Sequence, residues 1–403
     1  MEESARHKGV AEEEEQQQEI WSWGAGTGGQ LGTGKLEDAY SPQLLHLPSL
    51  SSFSPISLLS CGGAHVIALT SCGKVFTWGR GTSGQLGHGD TANCSLPNLV
   101  KSLESFAISH VSAGWSHSGF VSDCGHLFTC GDGSFGQLGH GDYQSQSSPS
   151  EVLFFGSKFV KQIACGMRHS LVLVREIDVM QGCPGTQVYG FGSGKRGQMG
   201  ISRDKFKSLC HPQLSSGFED AKIASITANG DHSAALTVDG KLYTWGRTFN
   251  GTSDVPFPQR FPSSLSFTQA ALGWNHALLT TGEGDLFMLG GYHHAALDDL
   301  QRINPVQNVS DSRGSNLLKV PGLDGIKVAQ IAAGAEHSAL VTENGEIRTW
   351  GWGEHGQLGL GNTCDQTHPQ AVELRHRHAN NRLTSEVYCG SGFTFALRTR
   401  RDM

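Results

Sequence analysis

Residues 73–90 read GKVFTWGRGTSGQLGHGD, and residues 125–142 read GHLFTCGDGSFGQLGHGD. Variants return at 186–200 (TQVYGFGSGKRGQMG) and 345–361 (GEIRTWGWGEHGQLGLG). The first copy, IWSWGAGTGGQLGTG at 20–34, has no front half. Self-similarity at a near-fixed period decides an architecture before any local propensity does. Here each unit has two parts. The front half is a small-Gly-x-x-His-x-x-Ala-Leu strand, as in Cys61-Gly62-Gly63-Ala64-His65 with Ala68-Leu69. The back half is a strand and loop centred on Trp23, Trp78, Cys130, Phe191, Trp245, Leu289 and Trp350.

Positions equivalent to Gly62 fall at 62, 114, 166, 229, 273, 334 and 390, so the steps are 52, 52, 63, 44, 61 and 56 residues. Seven back halves accompany them. The first back half opens the chain and the last front half ends it, so the seventh unit is split between the termini. Within units, short alternating runs such as Lys74-Val75-Phe76-Thr77-Trp78 lie between Gly-rich turns and read as strands. The expectation is an all-β, seven-bladed β-propeller of four-stranded blades, closed by a split blade from both termini. A split blade removes the unpaired sheet edge where first and last blades meet. The expected organisation is an acidic disordered tail at 1–19, a propeller at 20–397 and a short basic tail at 398–403.

The formal net charge is -7, and residues 1–19 hold seven Glu against Arg6 and Lys8, which is -5. The rest of the chain is therefore at -2, and a large uniform basic surface for DNA is not supported. The N-terminus does not resemble a secretory or transit peptide, and no run of 18 apolar residues suggests a membrane span. Ten Cys occur without a Cys-x-x-Cys pair, and Cys61, Cys165 and Cys389 share one repeat position. They read as small buried residues in a reducing compartment, so a cytoplasmic or nuclear location is expected.

Gly-x-Gly-x-x-Gly occurs five times, from Gly24-Gly29 to Gly351-Gly356. Each copy follows a strand but leads into no helix, so none offers the focused anion site of a dinucleotide fold. His65, His117, His169, His232, His276 and His337 look like a ligand set, yet they are spread one per blade and cannot converge on one metal. They are expected to be structural, each bonding backbone at a blade junction. Phe393 stands at this position in the split blade. No nucleophile–base arrangement can be read off the chain, so no catalytic residue, metal or cofactor is expected.

Irregular segments carry the functional candidates, because function tends to sit on loops of a rigid scaffold. Residues 175–187 lengthen one turn. Residues 246–268 and 291–325 replace the Gly-Gln-Leu-Gly loop in two adjacent units. Decay of these units and a binding role are both open. Phe249, Phe257 and Phe261 are candidate apolar anchors and Arg260 a charged one; His293, His294 and Arg302 complete the set. Arg375, Arg377, Arg382, Arg398, Arg400 and Arg401 form basic stretches that read as solvated surface, with contact to an acidic partner or nucleic acid as the sharper alternative.

The halves Cys-Gly-x-x-His-x-x-Ala-Leu and Trp-Gly-x-Gly-x-x-Gly-Gln-Leu-Gly resemble the regulator of chromosome condensation family of propeller repeats, over roughly residues 20–397. The resemblance implies a propeller and a function without covalent chemistry. The founding type is a guanine nucleotide exchange factor for the small GTPase Ran and docks on nucleosomes. Relatives include a secretion-regulating exchange factor and the plant ultraviolet-B receptor. In the founding type a wedge-like insertion after an early Trp-Gly strand enters the GTPase. The corresponding loops here, Gly79–Asp90 and Gly131–Asp142, are compact. The expected function is therefore a non-enzymatic scaffold that binds a protein partner through its loops as a monomer, with nucleotide exchange on a Ran-like GTPase as the alternative. Ultraviolet sensing ranks third. Trp115 and Trp274 sit three blades apart, roughly 150° around a seven-fold ring, and are expected to lie too far apart for an aromatic pair.

Overall fold

A computed structural model describes residues 18–46, 54–176, 185–201, 207–218, 221–249, 253–291, 309–310, 316–374 and 383–400. Seven antiparallel sheets form one ring. The blades span 56–99, 108–151, 159–214, 223–260, 267–319 and 328–371, and the seventh combines both chain ends. Six sheets have four strands. The fifth blade gains a two-residue edge strand, Val309–Ser310, and has five. In the first blade the order from the hub outwards is Ile56–Cys61, His65–Thr70, Val75–Gly79 and Cys94–Leu99. The middle two strands are buried on both faces, which is why they read as continuous small and apolar runs.

Ring closure is a sheet pairing. Gln18–Gly24 runs antiparallel to Phe393–Arg400 through seven successive pairs, from Gln18↔Thr399 to Gly24↔Phe393. Leu383–Cys389 and Ala39–Leu44 complete this blade. The closing strand reaches Arg400, so Arg398 and Arg400, expected in a basic tail, belong to the sheet. Arg398 is buried beside Glu19 at 3.9 Å. Arg375, Arg377, Arg382 and Arg401 lie outside the described residues, as do residues 1–17.

Apolar clusters fill the wedges between blades. One joins Val66, Phe76 and Trp78 of the first blade to Phe393 and Phe395 of the seventh. Polar clamps add register at the hub. Gln162 donates to the carbonyl of Ile226 in the next blade (2.9 Å) and accepts from its amide (3.0 Å). Gln330 does the same to Val387; farther from the axis, Gln18 on the third strand of the closing blade makes the same pair of bonds to Ile56. The amide satisfies both groups of an inner edge strand that faces the channel, where unpaired backbone is costly.

The recurring histidines explain the repeat motif. The Nε2 atoms of His65, His117 and His169 lie 2.9 Å from Ser118, Ser170 and Ser233 of the following blade. His276 pairs with Ser338 and His337 with Thr394. The partner at these junctions is thus a side-chain hydroxyl, not the backbone expected from the sequence. Ser118, Ser170, Ser233 and Thr394 each donate their own proton to a Gln carbonyl of the Gly-Gln-Leu loop. A carbonyl only accepts, so the ring must donate from Nε2. That leaves Nδ1 unprotonated, and in His65, His117, His169 and His337 it is buried without a partner. The glycine three residues earlier is required by the same ring. A Cβ on Gly166 would sit 2.2 Å from His169 Cε1.

Two junctions depart from the rule in matched ways. Phe393 faces Val66, so an apolar pair replaces a polar one at the closing junction. In the fourth blade Asn229 replaces the glycine, and Ala277 replaces the receiving hydroxyl. Asn229 carries the Cβ that the usual ring position excludes. His232 turns instead to two backbone carbonyls, Arg247 at 2.5 Å and Trp274 at 2.6 Å. It stacks on Phe249 with ring centroids 4.5 Å apart.

Candidate functional site

One face of the ring is built by the turns before each histidine and by the loops after each Trp-Gly strand. Backbone hydrogen bonds tie six of the seven turn junctions: Gly63 to Gly114, Trp115 to Gly166, Met167 to Gly230, Trp274 to Ala335, Ala335 to Ser391 and Ser391 to Gly62. The junction between the fourth and fifth blades is bridged by side chains, His232 to the Trp274 carbonyl and Asn229 to that of Leu272. A second tier binds each loop to its turn, as Arg80 to Ala64, Asp132 to Ser116, Arg247 to Asp231 and Trp352 to Glu336. Side chains at the turn tips are thereby fixed around the central axis.

The structure corrects the separation expected for Trp115 and Trp274. Their ring centroids are 5.2 Å apart at an interplanar angle of 44°. Both tips lie close to the axis, and at that small radius two long side chains meet across the hub despite the angle between their blades. They line the mouth of a central channel of about 400 Å³. Gly63 lets Trp115 lie flat, since a Cβ there would be 3.0 Å from the indole. Trp115 remains 38% exposed and Trp274 is half-buried. Nearby, the exposed Arg168 guanidinium lies 4.8 Å from the centroid of the Phe135 ring. Arg80 and Arg247 are exposed on the second tier, while Asp132, Asp231 and Glu336 are half-buried there. Gln137 and Gln198 fix the first two carboxylates by hydrogen bonds. The face therefore mixes both charge signs around an aromatic centre.

The Gly-x-Gly-x-x-Gly loops of this face spend their amides on themselves. Ser83 and Phe135 donate to the Gln85 and Gln137 side chains, and Gly81 and Gly353 to Asn93 and Asp365. They are built turns. Among the described residues no group of three metal-binding side chains occurs. Nine described cysteines are free. Burial pushes the Cys130 thiol well up and the Cys165 and Cys389 thiols to about 12. No helix among the described residues is long and apolar enough to cross a membrane.

The sequence-derived candidates do not form one site. Residues 254–260, expected in a replaced loop, form the outer strand Asp254–Arg260 of the fourth blade. Phe261 is 5% exposed and belongs to the core between the fourth and fifth blades, so it presents no surface to a partner. Phe249 is half-buried against that core and on His232. Phe257 is half-buried and Arg260 exposed, the latter at the end of the blade away from Trp115. His293, His294 and Arg302 lie outside the described residues, as does most of the 175–187 insertion. Trp115, Met167 and Arg168 were legible only as turn residues. For Trp115 and Met167 the sequence signal is a bulky residue where sibling turns carry Gly63, Gly230 or Ala335, and for Arg168 a long cation where they carry Ala64, Ser116 or Asp231.

Residues 19–396 match the RCC1-like domain family. The chain belongs to that family. It is 31% identical to the ultraviolet-B receptor UVR8 of Arabidopsis thaliana, over 86% of this chain and 76% of that protein. It is also 31% identical to the secretion-regulating guanine nucleotide exchange factor of Bos taurus, over 94% of this chain and 82% of that one. Against the E3 ubiquitin-protein ligase HERC2 of Homo sapiens the identity is 30% over 95% of this chain, which spans only 6% of that protein. Among solved structures, Prp20p of Saccharomyces cerevisiae, studied for its binding to Gsp1p and histones, superposes with a TM-score of 0.78. It is 24% identical, covers 96% of this chain and 92% of its own, and supports the fold alone.

Proposed function

We propose that this RCC1-like propeller is a docking protein that binds a protein partner and performs no bond chemistry of its own. The observation that carries this reading is the Trp115–Trp274 pair, with Trp115 exposed and Trp274 half-buried at the centre of a face whose turns are hydrogen-bonded to one another. Large rigid aromatics flanked by arginine are the residue types enriched at interface hot spots. Mixed charge on the surrounding tier suits a protein surface better than a nucleic-acid backbone. Phe257 and Arg260 stay in the proposal as a separate, peripheral contact.

Nucleotide exchange on a Ran-like GTPase is the second reading, favoured by the similarity to the secretion-regulating exchange factor. It ranks below simple docking because the loops at 79–90 and 131–142 form compact turns without an inserted wedge. The test uses the full chain and its Trp115→Ala, Arg168→Glu variant. Co-purifying proteins are compared from the native cell, with and without EDTA, which strips Mg²⁺ from GTPases. The expected result is loss of the main partner in the variant with its melting temperature retained. An unchanged set of partners would exclude the face, and a GTPase captured only with EDTA would promote exchange.

A further inference from the structure

A second surface lies on the opposite side of the ring, in the connection between the second and third blades. The seven blades supply an internal control for it. In each, one residue after the outer strand returns its amide to the third strand: Leu45, Val100, Val152, Ser215, Phe261, Val320 and Val372 do so. The next two residues therefore occupy one backbone position in every blade. They read Lys101-Ser102, Ser216-Gly217, Pro262-Ser263 and Pro321-Gly322, and Glu373-Leu374, whose leucine is buried; in the closing blade the first is the exposed His46 and the second lies outside the described residues. Between the second and third blades they read Leu153-Phe154, with Leu153 80% and Phe154 44% exposed. A few residues on, the position ahead of the inner strand is Ala107, Ser266 or Lys327 in siblings and the exposed Phe159 here. Packing does not demand these side chains, since the same turns close elsewhere without them.

Further apolar side chains lie beside these residues. Phe154 stands edge-on to Tyr189 at 5.6 Å, and the exposed Leu214 is the register partner of Tyr189. Two cations are laid over its rings: Lys158 Nζ is 5.6 Å from the Tyr189 centroid and the Arg175 guanidinium 5.4 Å from that of Phe159. Among the described residues neither is ion-paired with a carboxylate. Glu151, the acidic group close by on the outer strand, is bound to His126 at 2.7 Å. Clustered exposed apolar side chains with a polar rim mark an interaction site, and a cationic rim selects the sign of what docks.

From this we infer that Leu153, Phe154, Phe159 and Leu214, rimmed by Lys158 and Arg175, form a docking site for a short acidic segment of a partner protein that presents two bulky apolar side chains beside its carboxylates. This surface is independent of the Trp115 face, and either can fail without the other.

The experiment selects a random 12-residue phage-displayed peptide library on the full chain. Depletion is on a Leu153→Lys, Phe154→Ser variant. That variant writes the Lys101-Ser102 turn into the same backbone, so its melting curve should match the wild type. If it does not, Leu153→Lys alone serves, because that side chain is almost wholly exposed. Enriched peptides should pair aromatic or aliphatic residues with Asp or Glu. Fluorescence anisotropy should show at least about tenfold weaker binding to the variant, and Arg175→Glu should remove the preference for acidic peptides. Peptides that bind the variant equally well, basic peptides, or no enrichment over the depleted pool would each overturn the proposal. So would a wild-type dimer in light scattering that the variant abolishes, because the occupant would then be a second copy of this chain.

Discussion

Lowering the pH from 7.5 to 5 should unfold this propeller through its histidine ring. Burial holds His65, His169 and His337 near a pKa of about 3 and His117 near about 4, each with Nδ1 enclosed and unpartnered. A proton on that nitrogen finds no acceptor, so the charge is strongly disfavoured in the folded state. An unfolded imidazole titrates near about 6.5. The folded pKa is depressed, so the unfolded chain binds the extra protons. Their contribution is complete above about pH 6.5 and is lost as pH falls towards the folded values. At pH 5 each group favours unfolding by about 2 kcal/mol, and the four together by about 8 kcal/mol. That is comparable with the whole stability of an ordinary domain, about 5–15 kcal/mol.

The assay is urea unfolding followed by tryptophan fluorescence at pH 7.5, 6.5, 5.5 and 5, run in both directions to establish reversibility. The midpoint should collapse below pH 6. A control isolates one imidazole. His110 lines the channel, is pushed down to about 4 by burial, and has an unpartnered Nδ1. It occupies the position of Gln162 and Gln330, which clamp the next blade. His110→Gln should add such a clamp, worth about 1 kcal/mol at neutral pH, and reduce the pH slope by up to one proton. A midpoint at pH 5 equal to that at pH 7.5, or a slope unaltered in the variant, would refute this account of the ring.

Deleting residues 1–34 should expose the edge of Phe393–Arg400 and give oligomers by size-exclusion chromatography, whereas deleting 1–17 should leave the melting temperature within about 2 °C. Gly166→Ala places a Cβ against His169 and should cost about 1–3 kcal/mol by urea titration, more than the same change at Gly282, where a Cβ meets nothing closer than 4.0 Å. Fluorescent GDP release from Ran should not accelerate with micromolar protein; a large acceleration would promote exchange over simple docking.

The fold was legible because each motif residue serves one contact repeated around the ring. Glycine sits under the imidazole, the hydroxyl after His117, His169, His232 or His337 receives the previous histidine where that histidine keeps the usual ring position, and Gln carbonyls take the Ser proton. Such constraints recur at the repeat period, so they surface as a pattern. The candidate sites were not legible for the same reason: they depend on where the pattern breaks and on what the break lies beside. Phe261 lies in a stretch without the motif and is nonetheless core, because one residue after the outer strand Asp254–Arg260 it takes the buried position that Val100, Val152, Val320 and Val372 hold in sibling blades. Leu153 and Phe154 sit in a stretch with no motif, and only matched backbone hydrogen bonds show that described siblings place no exposed large apolar side chain there. Trp115 and Trp274 fail differently. Sequence spacing yields the angle between two blades, and a distance follows only when that angle is multiplied by a radius. The radius at the hub turns is set by seven strands packed around a narrow channel, which a one-dimensional period does not encode. Residues far apart in the repeat register are therefore the ones the hub brings together, and a propeller's central face can concentrate side chains that its sequence scatters among all seven units.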